Sequence, residues 1–309
     1  MNRGTLQATR IELRILREIY EVFKNSMLQN IDIFLCGGAS KAGKKSDRDL
    51  LRNELERYRD ITINYPEDLF AELMTKHKNK YNLLELENLL ADNSDYIIIV
   101  CESPGSFAEL GAFVNNERTS DKLIVLIRSK YKNDKSFIMQ GPISYLSKKN
   151  KENVIYYNTD VSEMEKRVIN AIKLSIKTRK KKKAEENNTN VALLTDKGIN
   201  TILGQSRYIL LLLYFYEALG FAELNESVRK INLEDGVKDS SLFVFFMSAL
   251  GRLFKEGLIE KCEVREEAKY TLTSRGVEVV KRMIKQASSK GQGKIINGIR
   301  LDIMRVQYR

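Results

Sequence analysis

The run Tyr96-Ile97-Ile98-Ile99-Val100-Cys101 passes directly into Glu102-Ser103-Pro104-Gly105-Ser106-Phe107-Ala108-Glu109-Leu110-Gly111-Ala112-Phe113. Six consecutive apolar residues rich in β-branched side chains predict a strand buried on both faces. Pro104-Gly105 predicts a tight turn, and residues 106 to about 117 predict a helix. A strand feeding a helix through a short turn is the building unit of a parallel sheet. Glu109 falls in the first turn of that helix, just beyond the strand end, where doubly wound α/β folds place their ligands.

The same unit recurs on either side. Residues 31–36 predict a strand followed by Gly37-Gly38 and a helix over about 46–58. Residues 61–64 predict another strand that ends at Tyr65-Pro66, with helices over about 67–73 and 82–91 after it. Further strands are predicted at 123–127 and 153–157, and a helix over about 162–177 closes the series. The expected fold is therefore α/β, a parallel flavodoxin- or Rossmann-like sheet flanked by helices over residues 31–176. Ile11, Ile15, Ile19, Val22 and Phe23 recur at helical spacing and predict an amphipathic N-terminal helix within residues 1–30. Residues 177–190, from the lysine-rich block to Asn190, read as a basic linker, and residues 191–309 as a second, mainly helical domain. There, helices are expected over about 208–219 and 241–256. The passage from Ala249 to Lys261, then Lys269-Tyr270-Thr271-Leu272-Thr273-Ser274-Arg275-Gly276, resembles the recognition helix and wing of winged helix-turn-helix domains. Such domains bind nucleic acid or pair with protein, and the apolar run Phe243-Val244-Phe245-Phe246 suits a protein partner as well as a groove.

Composition narrows the chemistry. No apolar run approaches the roughly 18 residues that a membrane helix requires, and the N-terminus lacks a secretory pattern, so a cytoplasmic protein with no membrane partner is expected. Cys36, Cys101 and Cys262 are too widely spaced for a zinc site and odd in number, which predicts buried thiols and no metal. The single histidine, His77, lies in a lysine-rich stretch that reads as a solvated loop. Carboxylates are left as the acid-base candidates. Residues 177–309 carry 25 basic and 16 acidic groups, and six of the basic ones lie within residues 177–183. Contact with a polyanion is therefore expected locally, at Lys180, Lys181, Lys182 and Lys183.

Glu109 has two readings. Ser106-Phe107-Ala108-Glu109 fits a capping box, a pattern that Ser162-Glu163-Met164-Glu165 also shows. Alternatively, Glu109 is a catalytic carboxylate, with Gly111 permitting close approach of its helix to a sheet or ligand. Gly37-Gly38 would bring backbone amides against a phosphate or sugar. Gly38, Gly43, Lys44, Lys45 and Ser46 miss the phosphate-loop pattern at its last position. Asp92 and Asp95 bracket the entrance to the strand and would reach a ligand only if the preceding loop folded over the crevice.

Phe34-Leu35-Cys36-Gly37-Gly38, Asp92-x-x-Asp95 and Gly105-x-x-x-Glu109-Leu110-Gly111 resemble the nucleoside 2-deoxyribosyltransferase family. Residues 33–38, Tyr65-Pro66-Glu67-Asp68-Leu69-Phe70, residues 102–113 with Asn115-Asn116-Glu117, and Lys135-Ser136-Phe137-Ile138 with Gly141-Pro142 resemble, more closely, the ribosyltransferase-like effectors of bacterial retron antiphage systems. The resemblance implies an N-glycosidase with Glu109 as its catalytic carboxylate. It places Gly37, Gly38, Ser103, Pro104, Gly105, Ser106, Asp68 and Asp95 at the substrate. It further implies a C-terminal winged helix, restraint by a reverse transcriptase and its RNA-DNA product, and a homo-oligomer or higher assembly. Nicotinamide in NAD is already cationic and departs without a general acid, so a single carboxylate suits NAD, as substrate and not cofactor. A nucleoside or nucleotide N-glycosidase, a deoxyribosyltransferase and a non-catalytic nucleotide-sensing DNA-binding regulator are the alternatives.

Overall fold

The computed structural model describes residues 5–27, 30–65, 67–68, 89, 93–158, 160–185, 198–234, 242–264, 267–286 and 292–307. His77, Asp92 and most of the helices expected over 67–73 and 82–91 lie outside these residues. The chain forms two compact units, Ile31–Asp196 and Met1–Asn30 with Lys197–Arg309.

Helix α1 (Thr5–Met27) belongs to the second of these. In the first, β1 (Ile31–Cys36) leads to α2 (Asp47–Leu55), β2 (Ile61–Asn64) and β3 (Tyr96–Cys101). Next come α3 (Pro104–Asn115), the single turn α4 (Glu117–Ser120), β4 (Leu123–Arg128), α5 (Ser144–Lys149), β5 (Val154–Tyr157) and α6 (Val161–Glu185). The strands form one parallel sheet in the order β2-β1-β3-β4-β5, with Ile33 beside Tyr96 and Ile97 beside Leu123. All six residues of β1 and of β3 are buried, as a sheet covered on both faces demands. Ile33, Leu35, Ile98, Val100 and Leu126 pack with Leu51 and Leu55 of α2 and Val168 and Ile172 of α6 in one core, while α3 packs against β3. The α/β expectation holds. Winding reverses between β1 and β3, so the segments leaving their carboxyl ends diverge and open a crevice there.

Two local readings change. Helix α3 starts at Pro104, with Ser103 as its N-cap, so Pro104-Gly105 is the first helical turn and not a separate one. The backbone of α6 continues through Lys180, Lys181, Lys182 and Lys183 to Glu185, so residues 177–185 of the expected linker are helical. Lys, Arg, Ala and Glu propagate a helix that is already nucleated, and like-charge neighbours oppose this by only a few tenths of a kcal/mol per pair.

In the other unit, α1 buries Ile15, Leu16, Ile19, Val22 and Phe23. Tyr20 and Phe23 stack at 5.4 Å, and Tyr208 meets both rings edge-on while donating to the Leu16 carbonyl at 3.0 Å. Burial of that apolar stripe makes α1 part of the unit that contains the C-terminal residues, not a segment of its own. The remaining elements are α7 (Ile202–Tyr216), β6 (Ala218–Gly220), α8 (Phe221–Glu234), α9 (Leu242–Lys255), β7 (Ile259–Val264), β8 (Glu267–Leu272), α10 (Ser274–Gln286) and α11 (Gln292–Gln307). The helix expected over 208–219 therefore starts earlier, at the Thr201 cap, and its last residues form β6. The antiparallel sheet runs β6-β8-β7. Leu272-Thr273-Ser274-Arg275-Gly276 acquires a physical meaning here. Thr273 Oγ1 donates to the Gly257 carbonyl and accepts from the Gly276 amide, and a Cβ on Gly276 would lie 2.1 Å from the Leu258 carbonyl oxygen.

Gly276→Ala is expected to destabilise this unit by about 2 to 3 kcal/mol, the scale of forced overpacking. Gly298→Ala in α11, where an added Cβ meets nothing within 4 Å, is expected to leave stability unchanged or raise it by up to about 1 kcal/mol. Denaturant unfolding of the two variants checks the contrast.

Candidate active site

Ser103 and Ser106 form the capping box of α3. Ser103 Oγ accepts from the Ser106 amide at 3.3 Å, and Ser106 Oγ accepts from the Ser103 amide at 3.1 Å. Glu109 is thereby relieved of the capping role that its spacing from Ser106 suggests. It sits one turn beyond the cap, half-buried, and its Oε2 is buried with no hydrogen-bond partner among the described residues. Burial above all, and then the negative charge of Glu67, raise its pKa to about 7, while Arg48 acts in the opposite direction. The thiols of Cys36 and Cys101, at the ends of β1 and β3, are pushed up chiefly by burial and further by Glu109. Four elements thus converge on one carboxylate: the ends of β1 and β3, the first turn of α2, and the segment after β2.

Arg48 is held on several sides. Its side chain is only 7% exposed; Nη1 donates to Glu67 Oε1 at 2.8 Å, and the guanidinium lies 4.2 Å from the Tyr65 ring centroid. Arg52 covers the same ring at 4.7 Å, and the Tyr65 hydroxyl donates to Asp49, which also accepts from Ser40. Arg48 Nε has no hydrogen-bond partner among the described residues. Gly37 has a φ of 152°, and a Cβ there would lie 3.1 Å from both Arg48 Cβ and the Val100 carbonyl oxygen. A Cβ on Gly38 would lie 3.1 Å from Glu102 Cγ. Both glycines therefore make room for side chains that shape the crevice, independently of any ligand.

Glu102 closes the arrangement. Its carboxylate accepts from the amides of Asp47 at 2.8 Å and Arg48 at 3.0 Å, filling the N-terminus of α2. Asp47 accepts from the Tyr157 hydroxyl at 2.8 Å and pairs with Arg128 at 2.5 Å.

The predicted residues divide clearly. Gly37, Gly38, Ser103, Pro104, Gly105, Ser106 and Glu109 all lie at the carboxyl ends of β1 and β3, on the loop and turn that leave them. Asp68 is half-buried just after β2, its amide donating to the Tyr65 carbonyl at 3.1 Å. Asp95 does not join them. It precedes β3, at the opposite edge of the sheet, is fully buried, and accepts from the Asp32 amide at 2.7 Å while its own amide donates to the Asp32 carbonyl. Asp95 is a tie between strands, so it leaves the substrate-binding set. Gly111 also changes meaning, since an added Cβ there meets nothing within 4 Å, so close packing against protein is not its reason. The backbone at Lys180 to Lys183 is helical. Sequence reasoning missed Arg48, Glu67 and Glu102. The quoted Tyr-Pro-Glu-Asp element contains Glu67 and its neighbour Tyr65, while Arg48 stands in an ordinary charged helix and carries no signal of its own. No group of three or more His, Cys, Asp or Glu residues that could hold a metal ion occurs among the described residues.

A family model described as the STM3845 retron effector protein matches residues 44–261, more than half of the chain. The chain belongs to the STM3845 retron effector family. A candidate ribosyltransferase/DNA-binding protein of retron Ec86, from Escherichia coli, is 33% identical over 281 residues, covering 90% of this chain and 86% of the relative. The corresponding protein of retron Ec73, also from Escherichia coli, is 37% identical over 134 residues, 42% of each chain.

The folded pKa of Glu109 exceeds its unfolded value, so its ionisation opposes folding. The penalty is absent well below pH 4.5, grows as pH rises, and is complete above about 7. Glu109→Gln is therefore expected to raise stability at pH 8 by about 1 to 2 kcal/mol after allowance for partial exposure, and to have much less effect at pH 5. Urea unfolding at the two pH values tests it.

Proposed function

We propose that this retron effector is a toxin of an antiphage defence system and an N-glycosidase that cleaves the nicotinamide-ribose bond of NAD. The observation that carries the reading is Glu109, a carboxylate with a buried, unpaired oxygen, free of capping duty, at the crevice where the sheet order reverses. The bond between the anomeric carbon and the pyridinium nitrogen breaks, and its electron pair returns to nitrogen, so nicotinamide leaves neutral. The ribosyl cation left behind is stabilised by the ionised Glu109, or captured by it as an ester. Water then attacks the anomeric carbon, releasing ADP-ribose and a proton. Gly37, Gly38 and the turn from Ser103 to Ser106 hold ribose and phosphate, with Asp68 at the edge.

The relatives' names, ribosyltransferase and DNA-binding protein, support ribosyl-group chemistry and contact with DNA. In the C-terminal unit, the order α7, β6, α8, α9 and then the β7-β8 hairpin, with β8 central, supports a winged helix. α9 would stand as its recognition helix, and exposed Phe243 on it favours docking to protein over reading a groove. Lys180 to Lys183 contact the RNA-DNA product, and the reverse transcriptase with that product restrains the enzyme in a larger assembly. A second reading rests on the pKa near 7. A carboxyl group half-protonated near neutrality could donate a proton to a neutral base, which suits a nucleoside N-glycosidase or deoxyribosyltransferase.

Glu109→Gln keeps the side chain's size and is expected to lower NAD consumption by at least about a thousandfold, measured as nicotinamide release. A folded variant consuming NAD and nucleosides at the parental rate rejects the assignment. Consumption of neutral nucleosides alone by the parent selects the second reading. Replacing Lys180 to Lys183 with glutamine is expected to weaken nucleic-acid binding and reduce its salt slope, by up to about 0.9 per lost contact. An unchanged slope removes the segment from the interface.

A further inference from the structure

The site holds a second carboxylate that the proposed reaction does not use. Glu67 follows β2 and has a side chain 55% exposed, yet it is anchored, because Arg48 Nη1 donates to it at 2.8 Å. Arg48 is fixed in turn by the Tyr65 ring, by the Gly37 backbone against its stem, and by the Glu102 carboxylate on its amide. The Gly37 position that meets the Arg48 stem also meets the Val100 carbonyl near the end of β3, the strand that leads into α3 and Glu109, so the Arg48-Glu67 pair stands at the same crevice and acts electrostatically on Glu109. The other titratable groups facing it are Cys36 of β1 and Cys101 of β3, whose thiols remain neutral at physiological pH because burial opposes their ionisation. Beyond burial, which is the largest influence, one cation and one anion among the described residues act on the charge at Glu109 in opposite directions.

We propose that Arg48 is the positioning residue that favours the ionised form of Glu109 for reaction, and that Glu67 is a specificity-determining residue that biases the crevice towards substrates carrying positive charge at the glycosidic nitrogen. This rests on Glu109 being the reacting carboxylate. Arg48 supplies the attraction that favours the anion, but its pairing with Glu67 tempers that attraction. Glu67 adds negative charge beside the site, which favours a pyridinium over a neutral base and disfavours a second anion. Glu67 Oε1 is occupied by the Arg48 guanidinium, which donates to it at 2.8 Å. A cationic substrate offsets the mutual repulsion of the two carboxylates when it binds, whereas a neutral nucleoside does not. The selectivity therefore arises from charge placed beside the reacting group.

The test separates this proposal from the reading beneath it. Glu109 is titrated directly, by NMR of protein labelled with carboxyl-13C glutamate, its resonance assigned by its loss in Glu109→Gln. The parent, Glu67→Gln, Arg48→Met and Arg48→Lys are compared. Glu67→Gln is expected to move the Glu109 midpoint to lower pH and Arg48→Met to higher pH, with Arg48→Lys between Arg48→Met and the parent. Glu67 is exposed and Gln preserves its size, so this variant keeps the comparison valid should Arg48→Met fold poorly. In kinetics, Glu67→Gln is expected to lower the ratio of kcat/KM for NAD to that for a neutral nucleoside by roughly five- to tenfold, the scale of one charge acting through a solvated crevice. Midpoint shifts of the same sign in Glu67→Gln and Arg48→Met, or an unchanged substrate ratio in Glu67→Gln, overturn the proposal. Parental activity in folded Glu109→Gln overturns the catalytic reading instead, whatever the titrations give.

Discussion

Two hydrogen bonds from the first turn of α2 to the carboxylate of Glu102 hold the crevice in shape. They are charge-assisted, and the carboxylate lies at the positive end of a helix. Each contributes about 1.5 to 3 kcal/mol where water is partly excluded, against about 1 for a neutral pair. The end of β3 is thereby joined to α2, and the other strand ends follow. Tyr157 at the end of β5 and Arg128 at the end of β4 reach Asp47. Tyr65 after β2 reaches Asp49, and Gly37 after β1 receives the stem of Arg48. Five strands are tied to one helix N-terminus through Asp47, Arg48 and Asp49.

This changes what that N-terminus does. In many doubly wound folds the helix after the first strand offers its free amides to a phosphate. Here the amides of Asp47 and Arg48 are already bonded to a carboxylate from the protein itself. The glycines after β1 are required by that arrangement, since Gly38 leaves room for Glu102 and Gly37 for Arg48. A glycine pair after a strand is commonly taken as a sign of close ligand approach. Here, part of the same signal is close approach of side chains within the fold.

The sheet was legible because its strands are short apolar runs bounded by polar residues, and 31–36, 61–64 and 96–101 could be read almost to the residue. The helix start beside the site was not. Ser103 and Ser106 are both good caps, and the Ser-x-x-Glu spacing favoured the second, while Pro104 at the first helical position decides for the first. That difference of one turn separates a capping glutamate from an unoccupied one. Glu109 itself could be found because strand end, glycine and carboxylate are adjacent in sequence. Arg48 could not, because its importance lies in Tyr65 and Glu67, some 17 to 19 residues away. Asp95 entered the site through the family pattern although it reads as preceding β3; its carboxylate is taken by the Asp32 amide, and six residues of strand separate it from the crevice by roughly 20 Å. The lysine block was read as a linker because its charge was weighed more heavily than its helix propensity.

A carboxylate with a pKa near 7 is at first sight ill-suited to stabilise a cation, because in the free protein near neutrality only about half of it is charged. The proposed substrate alters this balance. Bringing a pyridinium beside Glu109 favours the ionised carboxylate by the same Coulomb interaction that Glu67 exerts with the opposite sign, so cation binding and proton release are linked. The buried Oε2, without a hydrogen-bond partner among the described residues, is costly in the free protein and stabilising once positive charge lies against it. That charge becomes most concentrated at the anomeric carbon as the bond to nitrogen breaks. The interaction is then strongest in the transition state, which is the condition under which a stability penalty in the free protein is returned as rate. A neutral nucleoside reaches comparable charge only when a proton is delivered to its base, and the group best placed to carry that proton is Glu109 itself. One carboxyl group cannot be the proton donor and the anion in the same step. For the proposed pyridinium substrate, the leaving group's own charge removes that conflict, because no proton has to be delivered to it.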